Sequence, residues 1–200
     1  MRVFCGSFIL LVLVTSNWGL LSPPSAVSTS FAAYDVFPDV VSKPPDSYAK
    51  VEFSGGVQAI LGNILSPSQV KNEPSVSWPA NSLSYYTLAC VDPDEISRQN
   101  PNISEFKYWL VGNIPGDKIN RGEVLASYYS PTPSAGSSFH RYSIVIYRQK
   151  KKINFEEPRN LQMTYENRTR FSTCQFSEKY NLEGPVAGNF FLAQLNNIDC

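Results

Sequence analysis

The sequence predicts one sheet-rich, mainly β domain, and three observations carry that prediction. Short runs rich in Val, Ile, Tyr, Phe and Trp recur along the chain between clusters of Gly, Pro and Asn. One stretch, Thr169 to Tyr180, stands out as a helix candidate, with Phe171, Cys174 and Phe176 apolar among polar neighbours. The chain has 200 residues, 42% of them hydrophobic and 13% aromatic. That suffices to bury one substantial core, and no internal repeat, low-complexity tract or interdomain linker divides it.

Taken in order, the first element is not part of the fold. Arg2 precedes the apolar run Val3 to Val14, which has the size of a signal-peptide core and is too short to span a bilayer comfortably. Residues 1–26 therefore read as a signal peptide, with cleavage placed between 19 and 33 by small residues at Gly19, Ala26 and Ala33, and residues 34–200 as the domain. From Val36 to Lys50 the prolines allow at most a short helix before an extended entry segment. Val51 to Phe53, Gln58 to Leu61, Val76 to Trp78, Tyr85 to Val91, Phe106 to Ile114 and Tyr142 to Arg148 read as strands. The helix candidate ends before Gly184-Pro185, and a last strand runs from Val186 to Leu195.

Charge and cysteine content narrow the function classes. Lys+Arg and Asp+Glu both number 17, so no global field draws the chain to nucleic acid or to an anionic membrane, and phosphate binding has to be local. Arg148-Gln149-Lys150-Lys151-Lys152 is the one basic cluster and reads as a solvated loop after a strand. Removal of Cys5 with the signal leaves Cys90, Cys174 and Cys200. Cys90 sits in an apolar strand as a small buried side chain, so Cys174 with Cys200 is the expected disulfide, the alternative being three free thiols. Asn102-Ile103-Ser104 and Asn167-Arg168-Thr169 are glycan acceptor patterns at Asn102 and Asn167. No Gly-x-Ser-x-Gly, His-Glu-x-x-His, phosphate loop or Cys-x-x-Cys occurs, and a single histidine cannot supply a two-histidine metal site. The reading is therefore non-enzymatic, with no cofactor and no metal.

The residues that carry chemistry sit at strand ends. Asp92-Pro93-Asp94 follows the strand ending at Val91, and Phe139-His140-Arg141-Tyr142 heads the strand through Tyr147. Asp92 directly follows a buried strand, where a carboxylate is costly unless it finds donors or a cation. Asp94 reads as an Asx-turn stabiliser or an arginine partner, with the proline between them stiffening the loop. A lone histidine is most often a packed or capping residue, and the company of His140 is what raises a functional role for it. Alternation puts Phe106 and Tyr108 on one face of their strand and Trp109 on the other, and core packing alone would account for all three.

Those two segments resemble the signatures of the phosphatidylethanolamine-binding protein family, an Asp-Pro-Asp-x-Pro segment and a later Gly-x-His-Arg segment. The resemblance extends over the mature stretch through Val36 to Val41, Leu65 to Pro74 before Trp78, Leu110 to Ile114, and Tyr180 to Gly188. It implies a central antiparallel β-sandwich with a few peripheral helices. It further implies a small anion pocket in which Asp92, His140, Tyr142, Phe106, Tyr108 and Pro133 contact ligand, with Arg141 as scaffolding through Asp94 or Asp92. The chain departs from the pattern at four places. Ile96 stands for the second proline, Ser138 for the glycine, Thr132-Pro133-Ser134 for the usual Gly-Pro-Pro of the pocket loop, and Tyr108 for a pocket histidine. Tyrosine donates one hydrogen bond but carries no positive charge near neutral pH.

The resulting expectation is a secreted monomer holding a phospholipid headgroup or small anion in a shallow pocket, with at most peripheral membrane contact and no nucleic acid. The alternatives are an extracellular protein-interaction or serine-protease-inhibitor module with a modified pocket, and a carrier of small apolar or volatile molecules.

Overall fold

The computed structural model describes residues 25–95, 98, 105–134 and 136–195. A six-stranded sheet forms the centre, in the order β1 (Ser47–Tyr48), β9 (Glu183–Ala193), β8 (His140–Gln149), β5 (Tyr85–Asp92), β6 (Phe106–Pro115), β7 (Glu123–Ala126). A three-stranded sheet, β3 (Gln58–Ala59), β2 (Lys50–Glu52), β4 (Ser75–Ser77), lies against one face. All pairings of these strands are antiparallel except β1 with β9, which is parallel. The mainly β architecture of the sequence reading is therefore observed, with one parallel edge added to it.

The large sheet is buried on both faces, which is why β5, β6 and β8 read as almost continuous apolar runs rather than alternating ones. On one face Tyr86, Leu88, Cys90, Ile144 and Ile146 pack against Val51, Ala59 and Val76 of the small sheet. On the other face Ala89, Val91, Leu110, Val145 and Phe190 are covered by two helices, α1 (Ala26–Ala33) and α3 (Thr173–Lys179). From α1, Val27 and Phe31 enter this layer, and the Phe31 ring meets Phe190 edge-on at 5.2 Å. Gly188 of β9 lies beneath them, where a Cβ would come within 2.9 Å of Phe31 Cζ and 2.5 Å of Pro45 Cγ.

The observed strands extend or trim the expected ones by a few residues, but two strands and one α-helix were not anticipated. β1 and β7 are short, and their sequences alternate too weakly to stand out. Helix α1 falls in the stretch assigned partly to the signal, so the packed domain begins before Tyr34. A helical turn, α2 (Val36–Asp39), supplies the short helix expected at that point. The helix predicted from Thr169 starts at Thr173, where the Ser172 side chain accepts from the Gln175 N–H at 3.3 Å as an N-cap. Phe171, by contrast, exchanges backbone hydrogen bonds with Glu105, at 2.9 and 3.0 Å.

One expectation about side-chain direction fails. Trp109 lies in the same core layer as Phe106 and Tyr108, not on the opposite face. The cause is a β-bulge: Val91 pairs with Lys107 and Cys90 with Trp109, so Tyr108 is the extra residue and the period of two breaks there. The bulge sits next to the point where the C-terminal end of β5, the N-terminal ends of β6 and β8 and the C-terminal end of β9 converge. Asp92 opposes Phe106, and His140 opposes Ala193.

Candidate functional site

The end of β5 delivers Asp92 beside the start of β8, and the two strands supply a buried pair: Asp92 Oδ2 lies 2.8 Å from His140 Nδ1, with both side chains fully buried. The other Asp92 oxygen accepts the Asp94 N–H at 2.7 Å, so Asp92, rather than Asp94, closes the Asx turn across Pro93. His140 Nε2 lies 3.0 Å from Ser137 Oγ, on the loop that precedes β8. Burial disfavours the imidazolium, but the hydrogen bond and charge of Asp92 outweigh it and leave the His140 pKa raised. Burial likewise pushes the Asp92 carboxyl up, against the His140 and Asp94 hydrogen bonds that pull it down. The pair therefore holds a proton more readily than either group would in water.

Asp94 is given over to Arg141. The guanidinium donates to both carboxylate oxygens, Nε at 2.7 Å and Nη2 at 2.8 Å, and the Arg141 backbone N–H adds a third bond at 3.1 Å. Arg141 Nη1 reaches the Tyr34 carbonyl and Asp39 Oδ2, each at 2.9 Å, tying the N-terminal helices to the site. The planar fork of arginine suits this two-sided pairing, and Arg141 spends its charge on Asp94 and Asp39, not on Asp92.

An aromatic wall completes the cluster. Tyr142 stacks on Phe191 at 5.1 Å and lies edge-on to Tyr108 at 5.1 Å, while Phe106 contacts Tyr108 at 4.8 Å and Tyr165 at 4.9 Å. Tyr108 donates its hydroxyl to Glu95 Oε2 at 3.2 Å. The Tyr142 hydroxyl is buried, and burial with the charge of Asp92 keeps its phenol well above the usual range. The structure thus brings Asp92, His140, Tyr142, Phe106 and Tyr108 together, and it buries all five rather than opening them onto a shallow cleft. Pro133 is buried in the loop between β7 and β8, but it is Ser137 of that loop that bonds the cluster.

Three residues that sequence reasoning passed over matter here. Glu95 is the variable position of the Asp-Pro-Asp segment, and a carboxylate in a turn after a buried strand was the available signal. Burial, with the charge of Asp92, raises its pKa. Arg168, the middle residue of the second glycan pattern, is fully buried and donates to five backbone carbonyls, those of Lys107, Tyr108, Ser127, Gln162 and Thr164. It thereby holds the bulge that re-aims Tyr108. Glu105 accepts from the Thr173 N–H and hydroxyl at the start of α3, and burial pushes its pKa up to about 7. Nothing in the local sequence marks a distant partner for Arg168 or Glu105.

The phosphatidylethanolamine-binding protein family model matches residues 55–191, a span that contains the whole cluster. The chain belongs to that family. It is 38% identical over 164 residues to a 26 kDa secreted antigen of Toxocara canis, the match covering 82% of this chain and 63% of that protein. The chain therefore spans less than two thirds of that relative's length. It is 31% identical over 157 residues to Putative odorant-binding protein A5 of Drosophila melanogaster, covering 78% of this chain and 75% of that one. Among solved structures, the carboxypeptidase Y inhibitor, seen in complex with its cognate proteinase, superposes with a TM-score of 0.73 at 22% identity. That match covers 86% of this chain and 96% of the inhibitor and establishes the shared fold.

Two further expectations meet the limits of the described residues. Among the described residues Cys174 has no disulfide partner, its Sγ lying 3.4 Å from the Val40 carbonyl, and Cys200 lies outside them. Asn102 also lies outside them, whereas Asn167 is exposed with a left-handed backbone, φ 56°. Both glycan attachments and the Cys174–Cys200 bridge stand as expectations.

Proposed function

We propose that this family member is a secreted, non-enzymatic binding protein that takes a small phosphate-bearing headgroup at the Asp92–His140 cluster. The observation that carries the reading is the orientation of His140. Asp92 holds Nδ1, and Nε2 is left facing Ser137 Oγ on a loop whose next residues, Ser138 and Phe139, are exposed. The raised pKa of His140 favours the form with a donor on each ring nitrogen, and a phosphate oxygen takes the place of the Ser137 hydroxyl against Nε2. The Tyr142 ring stacks 6.3 Å from that of His140 and joins the imidazole to the aromatic wall of Tyr108 and Phe106. Export is supported by the apolar run after Arg2 and by the secreted Toxocara canis relative.

Calorimetric titration with phosphoethanolamine tests the reading. His140→Ala should weaken binding by about 1–3 kcal/mol, the range for a lost hydrogen bond to a charged group. Unchanged affinity in a folded variant would move the site elsewhere.

A second reading, carriage of small molecules with an apolar part, is favoured by a separate cavity of about 380 Å³ in which Val76, Trp109, Val111 and Ile119 face Glu73 and Lys118. The Drosophila melanogaster relative carries an odorant-binding name, and quenching of Trp109 fluorescence by an apolar probe would test this reading. The inhibitor shares only the fold at its level of identity, so a protease-inhibitor role has no separate support here.

A further inference from the structure

Asp92, Glu95 and His140 each offer a metal-ligand atom, and these atoms lie within 4.8 Å of one another, with all three residues buried. The cluster differs from a surface acidic patch in three respects. First, Asp92 Oδ2 and His140 Nδ1 are 2.8 Å apart, so opening the pair by roughly half an ångström gives the ~3.3 Å between neighbouring tetrahedral ligands at bond lengths near 2.0–2.1 Å. Second, Ser137 Oγ stands 3.0 Å from Nε2, placed to accept an Nε2–H. A ligating histidine ordinarily donates its other ring N–H to such a partner, which leaves Nδ1 bare toward the ion. Third, the Tyr142 hydroxyl is buried beside the cluster, its ring stacked 6.3 Å from that of His140.

Charge balance points the same way. Asp92 and Glu95 bring two carboxylates into a site where, among the described residues, His140 is the one cationic group hydrogen-bonded to either. The nearest guanidinium, Arg141, is consumed by Asp94 and Asp39. Buried charges of one sign are costly unless paired or coordinated to a metal. A site of one imidazole and two carboxylates suits Zn²⁺, whereas Ca²⁺ takes six to eight oxygens and Mg²⁺ keeps most of its waters.

We propose that Asp92, Glu95 and His140 form a Zn²⁺ site, the ion taking the place of the proton shared between Asp92 and Nδ1, with a fourth position open beside Tyr142. The ion stands independently of the headgroup reading. Its use of the open position for a phosphate oxygen rests on that reading, because without a cation Glu95 repels the phosphate that His140 attracts.

The test uses the full chain produced through a secretory route and dialysed free of metal. Titration with ZnCl₂ should show one ion per chain. Glu95→Gln should weaken uptake by more than about tenfold, the least effect expected even for disturbing the outer shell of a metal site, while leaving the metal-free melting temperature intact. Should that variant fold poorly, Co²⁺ titration of the unmutated protein gives the second measurement, where the visible bands of a four- or five-coordinate ion are expected. Absence of zinc uptake, equal uptake by a folded Glu95→Gln, or a purely octahedral cobalt spectrum would each overturn the site. Phosphoethanolamine is then titrated with chelator and with zinc. Headgroup binding under chelator with no zinc uptake removes the metal and keeps the headgroup reading; zinc uptake with no headgroup response does the reverse.

Discussion

Arg141 grips Asp94 with three nitrogens at 2.7 to 3.1 Å, the two side chains being 4% and 1% exposed, while its remaining amino group holds Asp39 and the Tyr34 carbonyl. This pair is the joint between the N-terminal helices and the strand ends that carry the site. Removing one partner leaves a buried charge uncompensated, so Asp94→Ala should cost about 3–5 kcal/mol of stability. Replacing both by apolar residues of similar volume should recover much of that loss. Denaturant melts of the two variants check it, and an Asp94→Ala protein as stable as the parent would show that the pair orders the loop without stabilising it.

Phe31 gives the N-terminal boundary an energetic basis. Its side chain is fully buried against Phe190, and the Ser25 side chain accepts the Ser28 N–H at 3.1 Å as the N-cap of α1. Cleavage after Ala33 would discard this element, whereas cleavage near Gly19 would keep it. N-terminal sequencing of secreted protein should therefore find a start at or before Ser25, and Phe31→Ala should destabilise by about 3–5 kcal/mol. A mature chain beginning at Tyr34 would mean that the domain is stable without α1.

Glu105 sets a pH dependence. Burial raises its pKa from 4.5 to about 7 despite the hydrogen bonds from Thr173. Between those values the folded chain holds a proton that the unfolded chain has released, so stability falls as pH rises across that window. The shift corresponds to roughly 3 kcal/mol in all. Asp92, Glu95 and His140, also raised, add to the slope with the same sign. Urea midpoints measured across this range should decline in the parent and flatten in Glu105→Gln. A parent protein whose stability rises over that interval would show that other groups dominate.

How far the sequence could be read follows from which interactions are local. Asp92, Asp94, His140 and Arg141 were legible because charged residues abut apolar strands, and burial forces such residues to find one another. The division of labour between the aspartates was not. Whether Asp92 or Asp94 takes the arginine depends on which face of the turn meets β8, and that is a tertiary fact. Trp109 was misassigned because a bulge consumes one residue of alternation, and the bulge is held by Arg168, about 60 residues away in sequence. Strand β7 and helix α1 escaped because short elements draw their stability from packing partners rather than from propensity.

Tyr108 gives the sharpest test of the headgroup reading. Its hydroxyl is committed to Glu95 at 3.2 Å, in the position where the family resemblance expects a histidine. Tyr108→His places an imidazole beside that carboxylate, which raises the ring's pKa and favours the cation. With zinc chelated, phosphoethanolamine binding should tighten, by about 1.5–3 kcal/mol near pH 6, where the new ring is charged, and by less near pH 8. An apolar ligand sharing the same walls should instead bind more weakly, since the added charge has to be desolvated. Paired titrations at the two pH values separate the cases. If neither ligand responds, Tyr108 serves only to pack against Phe106 and Tyr142 and takes no part in ligand binding.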